Sequence, residues 1–204
     1  MGAVNRLIGK QDWKTNLPAA DAIITGWETW RKANVDIEND PDILTYIKSQ
    51  AWNGLAVKDY GGDKKRGVVA TKNFTHGSVI ADYHGVLRTQ SEGLKLQAAI
   101  EDENKCFLNF FTGSGGVKLC IDAIAERCPC HPDQQTFGRL FNHSCKKMNM
   151  KPVRHTFPIG ETGAQDVIIF KAMRNITVGE ELLFDYGVRP GQYGEGHECR
   201  WLKE

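Results

Sequence analysis

The sequence predicts a mostly β fold with some α-helix, preceded by a helical N-terminal extension. Before Gly54, apolar residues recur at helical spacing; after it, short runs of valine, isoleucine and aromatics alternate with glycine-bearing turns. The 204-residue length suits one good-sized domain and a short extension. The expected division is therefore a helical segment at residues 1–53 and a compact domain at 54–204.

In the extension, Ile23, Ile24, Trp27 and Trp30 fall on one face of a helix over Asp21 to Arg31. Large aromatics at such spacing are packing residues or a partner-binding face. Asp40-Pro41 is a helix start, a capping carboxylate followed by proline at the first helical position. Ile43, Leu44, Ile47 and Ala51 continue the pattern, and Asn53-Gly54 supplies a stop. Strands are then expected at Val68 to Ala70 and Val79 to Ala81, separated by a turn at Thr75-His76-Gly77, and at Val86-Leu87. Ser91-Glu92 is expected to cap a helix running to about Ile100. Further strands are expected at Phe107 to Phe111, Lys118 to Ile121, Val167 to Phe170 and Leu182 to Tyr186. Cys128 to Gln135 reads as an irregular loop with two prolines, and Gly160 to Gln165 as a longer loop.

Composition narrows the function classes. The chain is 41% hydrophobic and 25% charged with net charge +1, so no global field drives it onto nucleic acid or an anionic membrane. No apolar run approaches the roughly 18 residues a membrane helix needs. The six cysteines lack the even framework of a small secreted domain and read as reduced thiols. Within residues 1–53, six positive charges face seven negative ones, so the segment is not a basic arm for nucleosomal DNA.

Two strings carry the chemistry. Phe137-Gly138-Arg139-Leu140-Phe141-Asn142-His143-Ser144-Cys145 and Gly179-Glu180-Glu181-Leu182-Leu183-Phe184-Asp185-Tyr186-Gly187 are apolar runs ending in hydrogen-bonding groups. Singly, the first is a turn string and the second a strand edge. Together and in this order they resemble the signature of the SET-domain protein lysine methyltransferases. In that family the two segments pass through one another as a pseudoknot, a rare threading. The likeness covers roughly residues 54 to 204. It is closest to the monomethyltransferases acting on a lysine of the histone H4 tail, through Arg66 to Lys72, Asp82-Tyr83-His84-Gly85 and Asn142-His143-Ser144.

That resemblance implies a SET fold, with several small curved sheets around a C-terminal pseudoknot, and S-adenosylmethionine as cofactor. Lys64, Lys65 and Arg66 resemble the loop cradling the cofactor's methionine part. Asn142 and His143 resemble the pair that hydrogen-bonds adenosine, Phe107 an aromatic on the cofactor, and Trp201 the tryptophan covering the adenine. Tyr83 and Tyr186 resemble the phenols framing the methyl-transfer channel. The family's Gly-x-Gly reads Lys65-Arg66-Gly67 here, and lysine is costly if that position needs positive φ. Phe184 stands where close relatives carry tyrosine, which implies a product beyond one methyl.

The reaction implied is in-line methyl transfer to a neutral lysine amine, with alignment as the protein's main contribution. The implied partner is a histone tail peptide or nucleosome, met in the nucleus by a monomer with no sequence-specific nucleic acid contact and no membrane. Two alternatives stay open: a SET fold that only binds chromatin, and a methyltransferase for a non-histone protein. The acidic run Glu101-Asp102-Glu103 suits a solvated loop or an attractor of a basic tail. No metal is expected. Cys128-Pro129-Cys130-His131 packs its ligands too closely for the usual zinc spacing of two separated pairs, although Cys145 could join them in space.

Overall fold

The computed structural model describes residues 2–10, 19–25, 37–62, 65–101, 104, 106–160 and 163–187. Its contacts form two compact units that meet in sequence between Asp40 and Pro41. The first contains helix α1 (Gly2–Lys10), helical residues at 20–25 and a 3-10 turn at Ile37–Asn39. Trp27 and Trp30 lie outside the described residues. Among the described residues no helix is long and apolar enough to cross a membrane.

The second unit opens with α2 (Pro41–Ser49), starting at the proline as expected. It stops four residues before Asn53. Gln50 takes φ +55° as its N–H closes on the Tyr46 carbonyl at 2.7 Å, and its side chain turns inward to Asp82 Oδ2 at 3.0 Å. Trp52 Nε1 donates to the other oxygen of Asp82 at 2.9 Å. The end of α2 is thus hydrogen-bonded to the domain core.

Four small sheets follow, with β1 (Leu55–Gly61) pairing antiparallel with β2 (Lys65–Ala70). β3 (Val79–Asp82), β9 (Gly163–Ala172) and β8 (Met150–Gly160) form a second sheet, with β9 central. β4 (Val86–Thr89), β6 (Lys118–Asp122) and β5 (Leu108–Thr112) form a third, with β6 central. The fourth is the parallel pair β7 (Asn142–His143) and β10 (Leu183–Phe184). This is the mostly β, SET-like architecture expected. The core gathers on β9, where Ile169 and Phe170 are fully enclosed and Phe170 meets the Phe141 ring edge-on at 4.9 Å; Phe157, Ile80 and Met150 are enclosed as well.

The structure corrects several elements. Helix α3 (Gln90–Ala99) is capped by Thr89 rather than Ser91: Thr89 Oγ1 accepts from Glu92 N, and the Glu92 carboxylate accepts from Thr89 N. β10 covers only Leu183–Phe184, and Phe107 precedes β5 in a turn. In place of the loop expected at 160–165, β8 and β9 form one long hairpin, paired from Met150↔Ala172 to Gly160↔Gly163. β8 was hidden because it is an edge strand. Its charged side chains and Pro152 break the apolar alternation, and an edge tolerates a proline that a central strand does not.

Candidate active site

The two sequence strings meet at β7 and β10, where Leu183 is opposite Asn142 and Phe184 opposite His143. Ser144 N donates to the Phe184 carbonyl at 3.1 Å, and Tyr186 N donates to His143 Nδ1 at 3.1 Å. That bond makes His143 Nδ1 an acceptor, with Asp185 Oδ1 3.9 Å away. Upstream, the second string lies against β2. Leu182 N donates to the Val68 carbonyl, Ala70 N to the Glu180 carbonyl, and Val69 bridges Glu181. The segment 179–184 is therefore held between β2 and β7, which joins the start of β2 at residues 65–67 to Asn142 and Tyr186.

The aromatic residues singled out converge. Tyr186 packs against Phe184 with ring centroids 4.6 Å apart and edge-on to His143 at 5.2 Å; Phe184 meets Phe170 at 4.8 Å. The Tyr186 hydroxyl donates to the Phe141 carbonyl at 2.5 Å, and the Tyr83 hydroxyl to the Phe107 carbonyl at 3.1 Å. Burial raises both phenols well above their ordinary range, Tyr83 with further help from Tyr186. Both are neutral donors at physiological pH and cannot act as bases.

Lys65 adopts φ +54°, so the position where the family carries glycine does require left-handed backbone, and lysine accepts the strain. Gly67 answers a different need. A Cβ there would lie 2.6 Å from Asn142 Nδ2 and 2.8 Å from Glu181 Oε1. That space lets the Asn142 carboxamide donate to the Arg66 carbonyl at 3.2 Å and to Glu181 Oε1 at 2.9 Å. Arg66 itself pairs with Glu126 at 2.6 Å on the surface. Lys64 and Trp201 lie outside the described residues.

Three residues of this neighbourhood had not stood out. Arg139 is buried, its guanidinium 4.2 Å from the centre of the Phe107 ring; Nε donates to the Ala123 carbonyl and Nη2 to that of Ile124, while Nη1 has no partner among the described residues. Its signal was a charge inside the apolar run Gly138 to Phe141. Burial lowers its pKa from the usual arginine value. Glu181 supports Asn142 and hydrogen-bonds Tyr60, whose phenol is raised by burial and by the Glu181 charge. Asn149 is enclosed, its carboxamide donating to the Glu181 carbonyl and accepting from Leu183 N. Nothing in the sequence distinguished it.

Cys128, Cys130 and His131 are also brought together, and the fourth member of their cluster is His84 rather than Cys145.

Comparisons with known proteins bear on the family and the fold. The SET domain family profile matches residues 65–187. N-lysine methyltransferase KMT5A-A of Danio rerio is 32% identical over 174 residues, 84% of this chain and 46% of that protein. Histone-lysine N-methyltransferase set-1 of Caenorhabditis elegans is 33% identical over 131 residues, 63% of this chain and 49% of its own length. The chain spans about half the length of the curated relatives it matches. The crystal structure of CpSET8 from Cryptosporidium aligns with a TM-score of 0.50 and 30% identity, covering 66% of this chain and 58% of that one. The Chaetomium thermophilum polycomb repressive complex 2 aligns with a TM-score of 0.54 at 20% identity, over 79% of this chain and 20% of that one, a likeness of fold alone.

Proposed function

The chain belongs to the SET-domain family, and on that premise we propose that it is an S-adenosylmethionine-dependent protein-lysine N-methyltransferase acting on a histone tail in chromatin, with histone H4 as the first substrate to test. The observation that carries this reading is the parallel pairing of Asn142–His143 with Leu183–Phe184, which sets the Tyr186 hydroxyl on the Phe141 carbonyl.

Two features of the fold suit the cofactor. Gly67 lets the Asn142 carboxamide close on the Arg66 carbonyl, and Arg139 keeps a guanidinium nitrogen without a partner among the described residues beside Phe107, a fit for an anionic carboxylate. Lys65 and Arg66 through their main chain, with Phe107, Asn142, His143 and Arg139, would hold it. When bound, it supplies an electrophilic methyl group on a sulfonium.

The chain's own residues do the rest. A free lysine amine has a pKa of about 10.4, so it must lose a proton before attack, and a narrow aromatic channel favours the neutral form by desolvation. Tyr83 and Tyr186 commit their protons to main-chain carbonyls, so toward an amine their oxygens act as acceptors. Accepting the amine N–H groups turns the nitrogen lone pair toward the methyl. The proton leaves to water, and the rate gain comes from alignment. Phe184 lines the same pocket without a hydroxyl, leaving room beside the amine for a methyl already added. On this reading the product passes beyond the monomethyl state.

The test is to titrate the protein with S-adenosylmethionine by calorimetry, then incubate it with labelled cofactor and free histones, nucleosomes or nuclear extract. Labelled lysine on a histone supports the reading. Label on another nuclear protein alone would redirect the substrate, and no cofactor binding at millimolar concentration would favour a module that only binds chromatin.

A further inference from the structure

We infer that His84, Cys128, Cys130 and His131 form a tetrahedral site for zinc. His84 follows Tyr83 at the end of β3, and the other three lie in the loop between β6 and the 3-10 turn at Gly138–Leu140. One ligand atom from each lies within 4.8 Å of every other. The spacing of Cys128, Cys130 and His131 alone argued against a metal, because the second half of the site was not visible. It is supplied by His84, 46 positions before Cys130.

Hydrogen bonding fixes what these groups present to one another. His131 Nε2 is 2.7 Å from the Lys48 carbonyl, which can only accept, so that nitrogen carries the proton and Nδ1 carries a lone pair. His84 Nδ1 faces the buried Asp82 carboxylate at 3.4 Å, so it carries the proton and Nε2 a lone pair. Those two lone pairs face each other at 3.0 Å, and neither neutral ring has a proton to share. Cys130 Sγ is 3.3 Å from the same His84 nitrogen and 2.7 Å from Cys128 Sγ, longer than the roughly 2.05 Å of a disulfide. With both thiols ionised, four electron pairs converge on one point, and a cation between them resolves the arrangement. An imidazolium would bridge only the two rings and leave the sulfurs unserved.

The donor set selects the metal. Two thiolates and two imidazoles form a closed zinc set, whereas magnesium and calcium take oxygen. An oxygen on the far nitrogen of each imidazole is the support metal-bound histidines normally have. With Zn–S near 2.3 Å, tetrahedral sulfurs stand about 3.8 Å apart, so binding opens the sulfur pair by about 1 Å. Cys130 is exposed and gives an entry path, while Cys128 is buried. With all four positions taken by protein, the ion holds structure and does no chemistry. It ties the segment after Tyr83 to the loop leading into Phe141 and, through the Lys48 carbonyl, to the end of α2.

The experiment uses the full chain, purified without chelator and loaded with zinc or cobalt before dialysis. One metal per chain by elemental analysis, with the visible absorption of tetrahedral sulfur-bound cobalt, is expected. Cys130→Ser and His131→Ala, checked for folding by circular dichroism, should lose stoichiometric metal, and Cys145→Ser should keep it. A metal-free wild-type chain after loading would overturn the site. So would unchanged binding in folded Cys130→Ser and His131→Ala, or a Cys128–Cys130 disulfide in protein isolated without reductant. If the variants fail to fold, the wild-type metal content and cobalt spectrum still decide.

Discussion

The hydroxyl of Tyr186 donates to the main-chain carbonyl of Phe141 at 2.5 Å, across 45 positions of sequence. Phe141 immediately precedes Asn142, so this bond ties the end of the second string to the start of the β7 pairing. The proposed role of Tyr186 is to orient an amine, and replacing it with phenylalanine separates that role from packing. Tyr186→Phe should lower turnover by roughly 10- to 100-fold, the scale of a misaligned reactant. It should cost only about 1 kcal/mol of stability, one net hydrogen bond. Steady-state kinetics and urea unfolding measure both, and undiminished turnover would remove Tyr186 from the mechanism.

Gly67 and Lys65 make opposite predictions two residues apart. Gly67→Ala forces a Cβ onto the Asn142 carboxamide and Glu181. It should cost about 1–3 kcal/mol by overpacking and weaken cofactor binding. Lys65→Gly relieves a left-handed lysine. It should leave cofactor affinity intact and gain up to about 1 kcal/mol. Thermal unfolding with and without cofactor reads both, and a loss of affinity in Lys65→Gly would show that the lysine side chain itself binds.

Phe184 decides how many methyl groups are added under the proposed function. Its ring is buried between Phe170 and Tyr186. The wild-type chain should carry a peptide at least to the dimethyl state, and Phe184→Tyr should shift the product toward monomethyl-lysine. Mass spectrometry after long incubation with excess cofactor reads the outcome. A wild-type product that stays monomethylated would count against the idea, as would an unchanged pattern in the tyrosine variant.

Glu180 gives the pH dependence. Its carboxylate accepts from Arg174 at 2.6 Å and from Thr177 N at 2.7 Å, and these bonds hold its pKa at about 2. A depressed folded-state pKa contributes stability above the unfolded value, about 4.3, and that stability is lost as pH falls toward about 2. Wild type should therefore exceed Glu180→Gln at pH 6, and the gap should close between roughly pH 4 and 2. Urea midpoints for the two proteins across that range measure it. A gap that persists at pH 2 would mean that Glu180 acts through packing, not charge.

Local chemistry alone made much of this protein legible. Asp40-Pro41 starts α2 and glycine-broken valine runs become β2 and β3, whereas the two strings that form β7 and β10 stood out through their resemblance to a family signature. The helix start and the valine runs depend on neighbours within a turn or a strand, which the sequence displays directly. Other features depend on partners far away. β8 is invisible as an edge strand with a polar face, and α2 ends early because Gln50 finds Asp82. Asn149 matters only because Glu181 and Leu183 arrive beside it, and Arg139 because Phe107 and two carbonyls enclose it. His84 joins Cys128, Cys130 and His131 only after β3 and the loop following β6 are folded against one another. Sequence spacing reports which residues share an element, while long-range hydrogen bonds and ligand sets form only where separate elements pack together.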